Sequence, residues 1–256
     1  MIKKEYNVCG DIFPGKKLKG EDRYKKLYHY TSFDSFVKIW LNKNLLFSPI
    51  TNVNDIQEAF VSSSIIDPKQ TDLAILLNNT RIAYKQISFT MDYDTYLKGC
   101  MSPMMWGLYA DKRKGVCIEL DYDKLRFDDN ILKGIVKYKR ILKMHHSISP
   151  RIKTAKGIHY LIRKQQNEIF FTKQSGWAGE NEYRVLSKDH EFLNIEGAIS
   201  AVYLTSCCSK ECLLVEKLVN GQVPVRVFHY DRALNNVAIP VIHDTQEFRK
   251  RNGINL

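Results

Sequence analysis

Glu182 and Arg184 stand two residues apart in the run Glu180-Asn181-Glu182-Tyr183-Arg184. On a strand that spacing puts a carboxylate and a guanidinium on one face, with Tyr183 and Val185 on the other. Such a carboxylate can offset positive charge in a transition state or take a proton from an acceptor. The same two groups can equally close a plain ion pair. His29, inside the aromatic run Leu27-Tyr28-His29-Tyr30-Thr31, has a similar choice between a ligand hydroxyl and a backbone partner in the core. Trp106 and Tyr109 recur at helical spacing and read either as an aromatic wall or as packing. Asn54-Asp55 reads as a turn device through side-chain hydrogen bonding. Other chemistries lack their residues. Cys207, Cys208, Cys212 and His229 offer zinc ligand types, but no C-x-x-C pair exists, and no metal is expected. No phosphate-binding glycine loop and no G-x-S-x-G elbow is present.

The elements that must carry these residues follow from pattern. Leu27–Thr31 is a short strand, and a helix signal follows at once. Thr31 with Asp34 makes a loose capping box, and Phe33, Phe36, Val37, Trp40 and Leu41 form one apolar face. Leu45-Leu46-Phe47 is a second strand. This strand, helix, strand unit puts His29 and Thr31 beside the groove between helix and sheet. Tyr84–Thr90 reads as a strand. Ser102-Pro103 starts a helix running to about Asp111, with serine at the N-cap and proline at N1. Val116, Ile118 and Leu120 alternate with Cys117, Glu119 and Asp121, the pattern of a half-buried strand. Beyond Pro150, Arg151–Gln166 is helical with Ile152, Ala155, Ile158 or His159, and Ile162 inward. Glu168–Lys173 and Glu182–Ser187 are strands around a glycine-bearing loop. Ile199–Thr205, a helix capped by Ser209, and strands over Val223–His229 and Val237–His243 complete an α+β fold with a mixed or antiparallel core and flanking helices. Residues 1–22 form an arm, 23–247 one domain with a basic subregion at 130–167, and 248–256 a basic tail.

Composition narrows the class. The chain has 256 residues, 44% hydrophobic and 26% charged, ordinary for a globular protein. No apolar run is long enough for a transmembrane helix, and the N-terminal residues lack the apolar stretch of a secretory signal. Six cysteines without framework spacing fit reduced thiols, so a cytoplasmic location without membrane association is expected. The net charge is +11. From Asn130 to Asn167 there are ten lysines and arginines and no acid. Lys137, Lys139, Arg140, Lys143, Arg151 and Lys153 are the candidate phosphate contacts, with Tyr138 and Tyr160 available for base stacking. The window serves equally as a solvated face or a surface for an acidic protein such as an antitoxin.

Two resemblances add to this reading. Leu27–Thr31, Asn54-Asp55 with Glu58, Met105-Trp106-Gly107-Leu108-Tyr109-Ala110, Lys114–Asp121 and Trp177 with Glu180–Arg184 resemble, in that order, the sequence blocks of a large bacterial domain-of-unknown-function family. Ile56 departs from it where that family usually has proline. More distantly, a first-strand His-Tyr-Thr, a central aromatic helix and a late glutamate are similar to the His-Tyr-Glu layout of ADP-ribosyltransferases. That likeness implies NAD as co-substrate, with His29 on a ribose hydroxyl, Tyr109 stacked on nicotinamide, and Glu182 offsetting the charge of the ribosyl cation. Tyr30, Thr31, Trp106 and Arg184 would line the same pocket. The implied activity is NAD-dependent ADP-ribosyl transfer by a bacterial toxin or phage-defence effector modifying RNA or DNA, with an antitoxin or chaperone as a possible protein partner. The alternatives are a non-catalytic nucleic-acid-binding module and an NAD glycohydrolase.

Overall fold

The computed structural model describes residues 15–52, 75, 79–140, 154–205, 209–232, 238–251 and 253. Asn54, Asp55, Glu58, Lys143, Arg151, Lys153, Cys207 and Cys208 lie outside them. In chain order the elements are β1 (Lys26–Thr31), α1 (Phe33–Asn42), β2 (Asn44–Leu46), β3 (Ser48–Pro49), β4 (Lys85–Met91), α2 (Pro103–Tyr109), β5 (Val116–Asp121), β6 (Leu132–Ile135) and β7 (Lys137–Lys139). Then come α3 (Ala155–Phe170), β8 (Thr172–Gln174), β9 (Glu182–Ser187), β10 (Phe192–Asn194), β11 (Ile199–Thr205), α4 (Ser209–Val219), β12 (Val225–Arg232), β13 (Ala238–Asp244) and α5 (Thr245–Arg251). The fold is α+β, and its strand pairing is mostly antiparallel.

The chain divides into two compact units that it enters alternately. The first holds residues up to Asn44, Phe89–Arg126 and Asn194 onward; the second holds Leu45–Ser88 and Phe127–Leu193. In the first unit the strand order is β13-β12-β11-β5-β1 followed by the end of β4. β5 sits between β1 and β11, antiparallel to both, and β11 runs parallel to β12. In the second, β9 lies between the start of β4 and β6, and β7 pairs with β8 in parallel.

Local chemistry accounts for the boundaries. α1 is capped by Ser32, whose hydroxyl accepts from the Ser35 N–H at 3.2 Å, and not by Thr31. Thr31 is held in β1 opposite Val116, so its backbone is already committed to the ladder. α2 starts as its Ser-Pro signal predicts, with Ser102 accepting from the Met105 N–H at 3.3 Å. It stops at Tyr109, and Asp111, Lys112 and Arg113 all take positive φ. A side chain at Gly115 would run into the Thr31 carbonyl, which explains glycine at the entry to β5. β5 is buried on both faces over Val116–Leu120, not half-buried, because strands flank it on both edges and side chains cover both faces. Each of these caps is worth roughly 1 kcal/mol.

Two segments differ from their sequence pattern. α3 runs through Phe170, so the expected strand shrinks to Thr172–Gln174. Ile169 and Phe170 are buried, and a short apolar run of this kind suits a helix or a strand alike. The basic stretch after Asp244 is the helix α5, with Asp244 Oδ1 accepting from the Glu247 N–H at 2.8 Å and Phe248 buried. Thr245 and Arg249 both bond Glu216 of α4.

Candidate functional site

Charge is buried most densely in the second unit. Lys173 on β8, Glu180 at the end of the loop, and Glu182 and Arg184 on β9 are each at most 4% exposed. The loop from Ser175 to Glu180 is a 3-10 turn ending in Asn181 at φ 44°, and that reversal delivers Glu182 to the start of its strand. Strand alternation then aligns Glu182 with Arg184 as the spacing predicts. Arg184 Nε donates to Glu182 Oε1 and Nη2 to Oε2, both at 2.8 Å, a two-pronged pair. Arg184 Nη1 also donates to the Phe170 carbonyl at 2.8 Å, which ties the pair to the end of α3. Lys173 Nζ donates to Glu180 at 2.7 Å, lies 3.9 Å from Glu182 Oε2, and sits over the Trp177 ring at 4.8 Å.

The quartet carries two positive and two negative groups, so burial does not strand a net charge. Burial alone pushes the Glu182 carboxyl up. Arg184, Lys173 and the Ser88 hydroxyl outweigh it and hold the carboxyl below the ordinary glutamate value. Ser88 Oγ donates to Glu182 Oε1 at 2.6 Å, and Ser88 is itself exposed, so the buried carboxylate is one hydrogen bond from solvent. Tyr138 closes the other side: its hydroxyl accepts from the Glu182 N–H at 2.9 Å. Tyr138 therefore serves the network and is not the free stacking ring that the basic window suggested.

The other predicted residues belong to the first unit. His29 is half-buried on β1, opposite Ile118, with its ring edge-on to Phe89 at 5.9 Å. Tyr30 is buried, donates its hydroxyl to the Gly99 carbonyl at 2.6 Å, and meets Trp106 edge-to-face at 5.2 Å. Trp106 is 1% exposed and donates its indole N–H to the Cys100 carbonyl at 2.8 Å. Tyr109 packs partly buried against this same aromatic cluster. Since side chains alternate along a strand, His29 and Thr31 leave β1 on the face opposite Tyr30. The structure thus brings Tyr30, Trp106 and Tyr109 together and sets His29 and Thr31 apart from them. Trp106 and Tyr30 are packing residues.

The candidate nucleic-acid surface is also defined. Lys137 and Arg140 are exposed and Lys139 is half-buried. On α3, Lys156, Tyr160, Arg163 and Lys164 are all exposed, and their spacing of four, three and one puts them on one side of the helix. Tyr160 is 64% exposed, with Lys164 Nζ 5.9 Å from its ring.

Sequence reasoning passed over two groups. Glu119 on β5 is buried and accepts from Tyr203 and Ser200 hydroxyls, both at 2.7 Å. Its alternation with apolar neighbours marked it as a surface residue, and nothing in the sequence signalled that β11 would cover it. His229, read beside cysteines, lies instead with Asp231 and His243; Cys212 is buried on α4. The signal for this group was His-x-Asp on one strand with a histidine on the next.

No curated protein and no solved structure matches the chain. The model of a family described as protein of unknown function (DUF2971) matches residues 105–185, which start inside α2, cover β5 and take in Lys173, Glu180, Glu182 and Arg184. Over residues 105–185, therefore, the chain is similar to the DUF2971 family of proteins of unknown function.

Proposed function

We propose that this chain is an NAD-dependent ADP-ribosyltransferase that modifies nucleic acid, with NAD as co-substrate. The observation that carries the reading is Glu182: a carboxylate held ionised in a buried setting and linked through Ser88 to the surface. Breaking the bond between C1′ of the ribose and nicotinamide sends the electron pair out with nicotinamide and leaves positive charge on the sugar. A fixed anion in a low-dielectric setting lowers the energy of that state far more than a solvated one does. The acceptor then bonds to C1′ and loses its proton. Stacking on nicotinamide is not assigned to Tyr109, which packs on the face of β1 opposite His29. The exposed cations and Tyr160 supply the surface for an RNA or DNA acceptor. A cytoplasmic toxin or phage-defence effector, held by an antitoxin or chaperone, fits such an activity.

One observation favours a second reading. Both oxygens of Glu182 already bond Arg184, as they would in a non-catalytic module that binds nucleic acid. Incubation with labelled NAD and separate protein, RNA and DNA fractions distinguishes the two. Label is expected on nucleic acid. Ser88→Ala leaves the ion pair intact and is expected to change the rate at least several-fold. Glu182→Gln combined with Arg184→Met removes both charges together, avoids a stranded guanidinium, and is expected to lower transfer by on the order of 100-fold. Label on no fraction and no release of nicotinamide would leave the binding module as the function. Release of nicotinamide without label identifies a glycohydrolase.

A further inference from the structure

We propose that His229, Asp231 and His243 form a site for a divalent transition-metal ion. His229 and Asp231 lie two apart on β12 and so share a face. On β13, His243 stands opposite Val227 and is therefore diagonal to His229 on that same face. The side chains converge. His229 Nδ1 is 3.3 Å from Asp231 Oδ1, His243 Nε2 is 3.9 Å from Asp231 Oδ2, and the two imidazole centroids are 5.0 Å apart. One ligand atom from each residue falls within 4.8 Å of the others. A tetrahedral ion with bonds of ~2.0 Å needs such atoms roughly 3.3 Å apart, a contraction that side-chain rotation supplies without moving the strands.

Two features separate this group from a surface cluster of acids. Both imidazoles are largely buried, with side chains 13% and 11% exposed, and His229 Nε2 has no hydrogen-bond partner among the described residues. A buried ring nitrogen left unpaired is costly, and a metal removes that cost when the His229 ring turns to offer Nε2 in place of Nδ1. Around the three ligands lies the shell that metal-binding histidines need. Glu247 Oε2 is 3.1 Å from His243 Nδ1, so the carboxylate orients that ring and leaves Nε2 turned toward Asp231. Phe248 closes on His229 at 5.2 Å and gives the site a dry wall. Arg251 Nη1 lies 3.4 Å from His243 Nε2, and it must swing out when a metal enters. It sits at the end of α5, 55% exposed, and already pairs with Glu247. Two imidazoles and one carboxylate suit zinc, iron(II), cobalt(II) or manganese(II) and leave coordination positions open for water or a ligand oxygen.

The test is titration of the full-length chain, reduced and metal-free, with cobalt(II), followed by visible absorption and by calorimetry. One equivalent of cobalt is expected to bind with d–d bands and no thiolate-to-metal charge transfer, since the ligands are nitrogen and oxygen. Asp231→Asn, at a position 47% exposed, is the variant least able to disturb folding, and His243→Gln is its companion. Each is expected to weaken binding at least 100-fold, and Glu247→Gln by roughly 10–100-fold through loss of ring orientation. Thermal melting with and without cobalt shows that each variant is folded, and the metal is expected to raise the melting temperature of the wild type alone. The proposal is overturned by no uptake in the wild type, by a thiolate charge-transfer band, or by unchanged affinity in folded Asp231→Asn.

Discussion

Protonation of Glu182 removes the carboxylate charge that faces Arg184, a cation at 1% exposure. This ties stability to pH in a direction that can be worked out. The folded carboxyl titrates below its unfolded value, so the ion pair contributes its full stability above the ordinary glutamate pKa of ~4.3. That contribution is lost as pH falls through the lower, folded value. The urea midpoint of the wild type is therefore expected to fall more steeply below about pH 4.3 than that of the Glu182→Gln, Arg184→Met double variant, in which this proton site is gone. Parallel profiles for the two proteins would mean that the pair does not titrate with unfolding. At this scale the sequence was informative where a local period decided the outcome. The spacing of Glu182 and Arg184 gave their shared face, and Ser102-Pro103 gave a helix start. It was silent where a partner distant in sequence decides. Ser88 lies 94 residues from Glu182, and no local pattern announces its hydrogen bond.

Among the elements, α3 separates two kinds of nucleic-acid contact. Lys156, Arg163 and Lys164 meet phosphates by charge, whereas Tyr160 offers a flat ring 64% exposed. Stacking of one base on such a ring is worth about 1–3 kcal/mol and releases no counterions. Tyr160→Ala is thus expected to weaken binding to single-stranded RNA or DNA about 5- to 150-fold at every salt concentration, with the slope of log affinity against log salt unchanged. Fluorescence anisotropy over a salt series measures both quantities. An unchanged affinity would return Tyr160 to the ordinary surface. The end of this helix also shows why the element pattern was only partly legible. Glu168 to Phe171 reads as strand or helix by hydrophobicity. The Phe170 carbonyl accepts from Arg184, fourteen residues ahead, so the backbone there is committed by the neighbouring strand. Thr31 tells the same story at α1, where pairing with β5 hands the cap to Ser32.

For the whole molecule the governing quantity is the excess of eleven positive charges and its uneven placement. Ten cations fall between Asn130 and Asn167 with no intervening acid, while the buried quartet nearby in sequence is neutral as a group. Among the described residues, Lys137, Arg140, Lys156, Arg163 and Lys164 of this window are exposed and contribute to the field outside the protein. Changing them should alter binding and leave stability alone. Neutralising Lys137, Lys139, Arg140 and Lys143 together is expected to leave the melting temperature within a few degrees of the wild type. Each lost phosphate contact should flatten the salt slope on double-stranded DNA by about 0.9, so four contacts remove up to ~3.6 from it. The same variant is expected to release nicotinamide from NAD at the wild-type rate in the absence of nucleic acid, because the charges of Glu182 and Arg184 are untouched. Equal salt slopes for the two proteins, or no binding at any salt, would assign the acid-free window to a protein partner or to solubility. The Glu182 site would then have to find its acceptor without help from the basic surface.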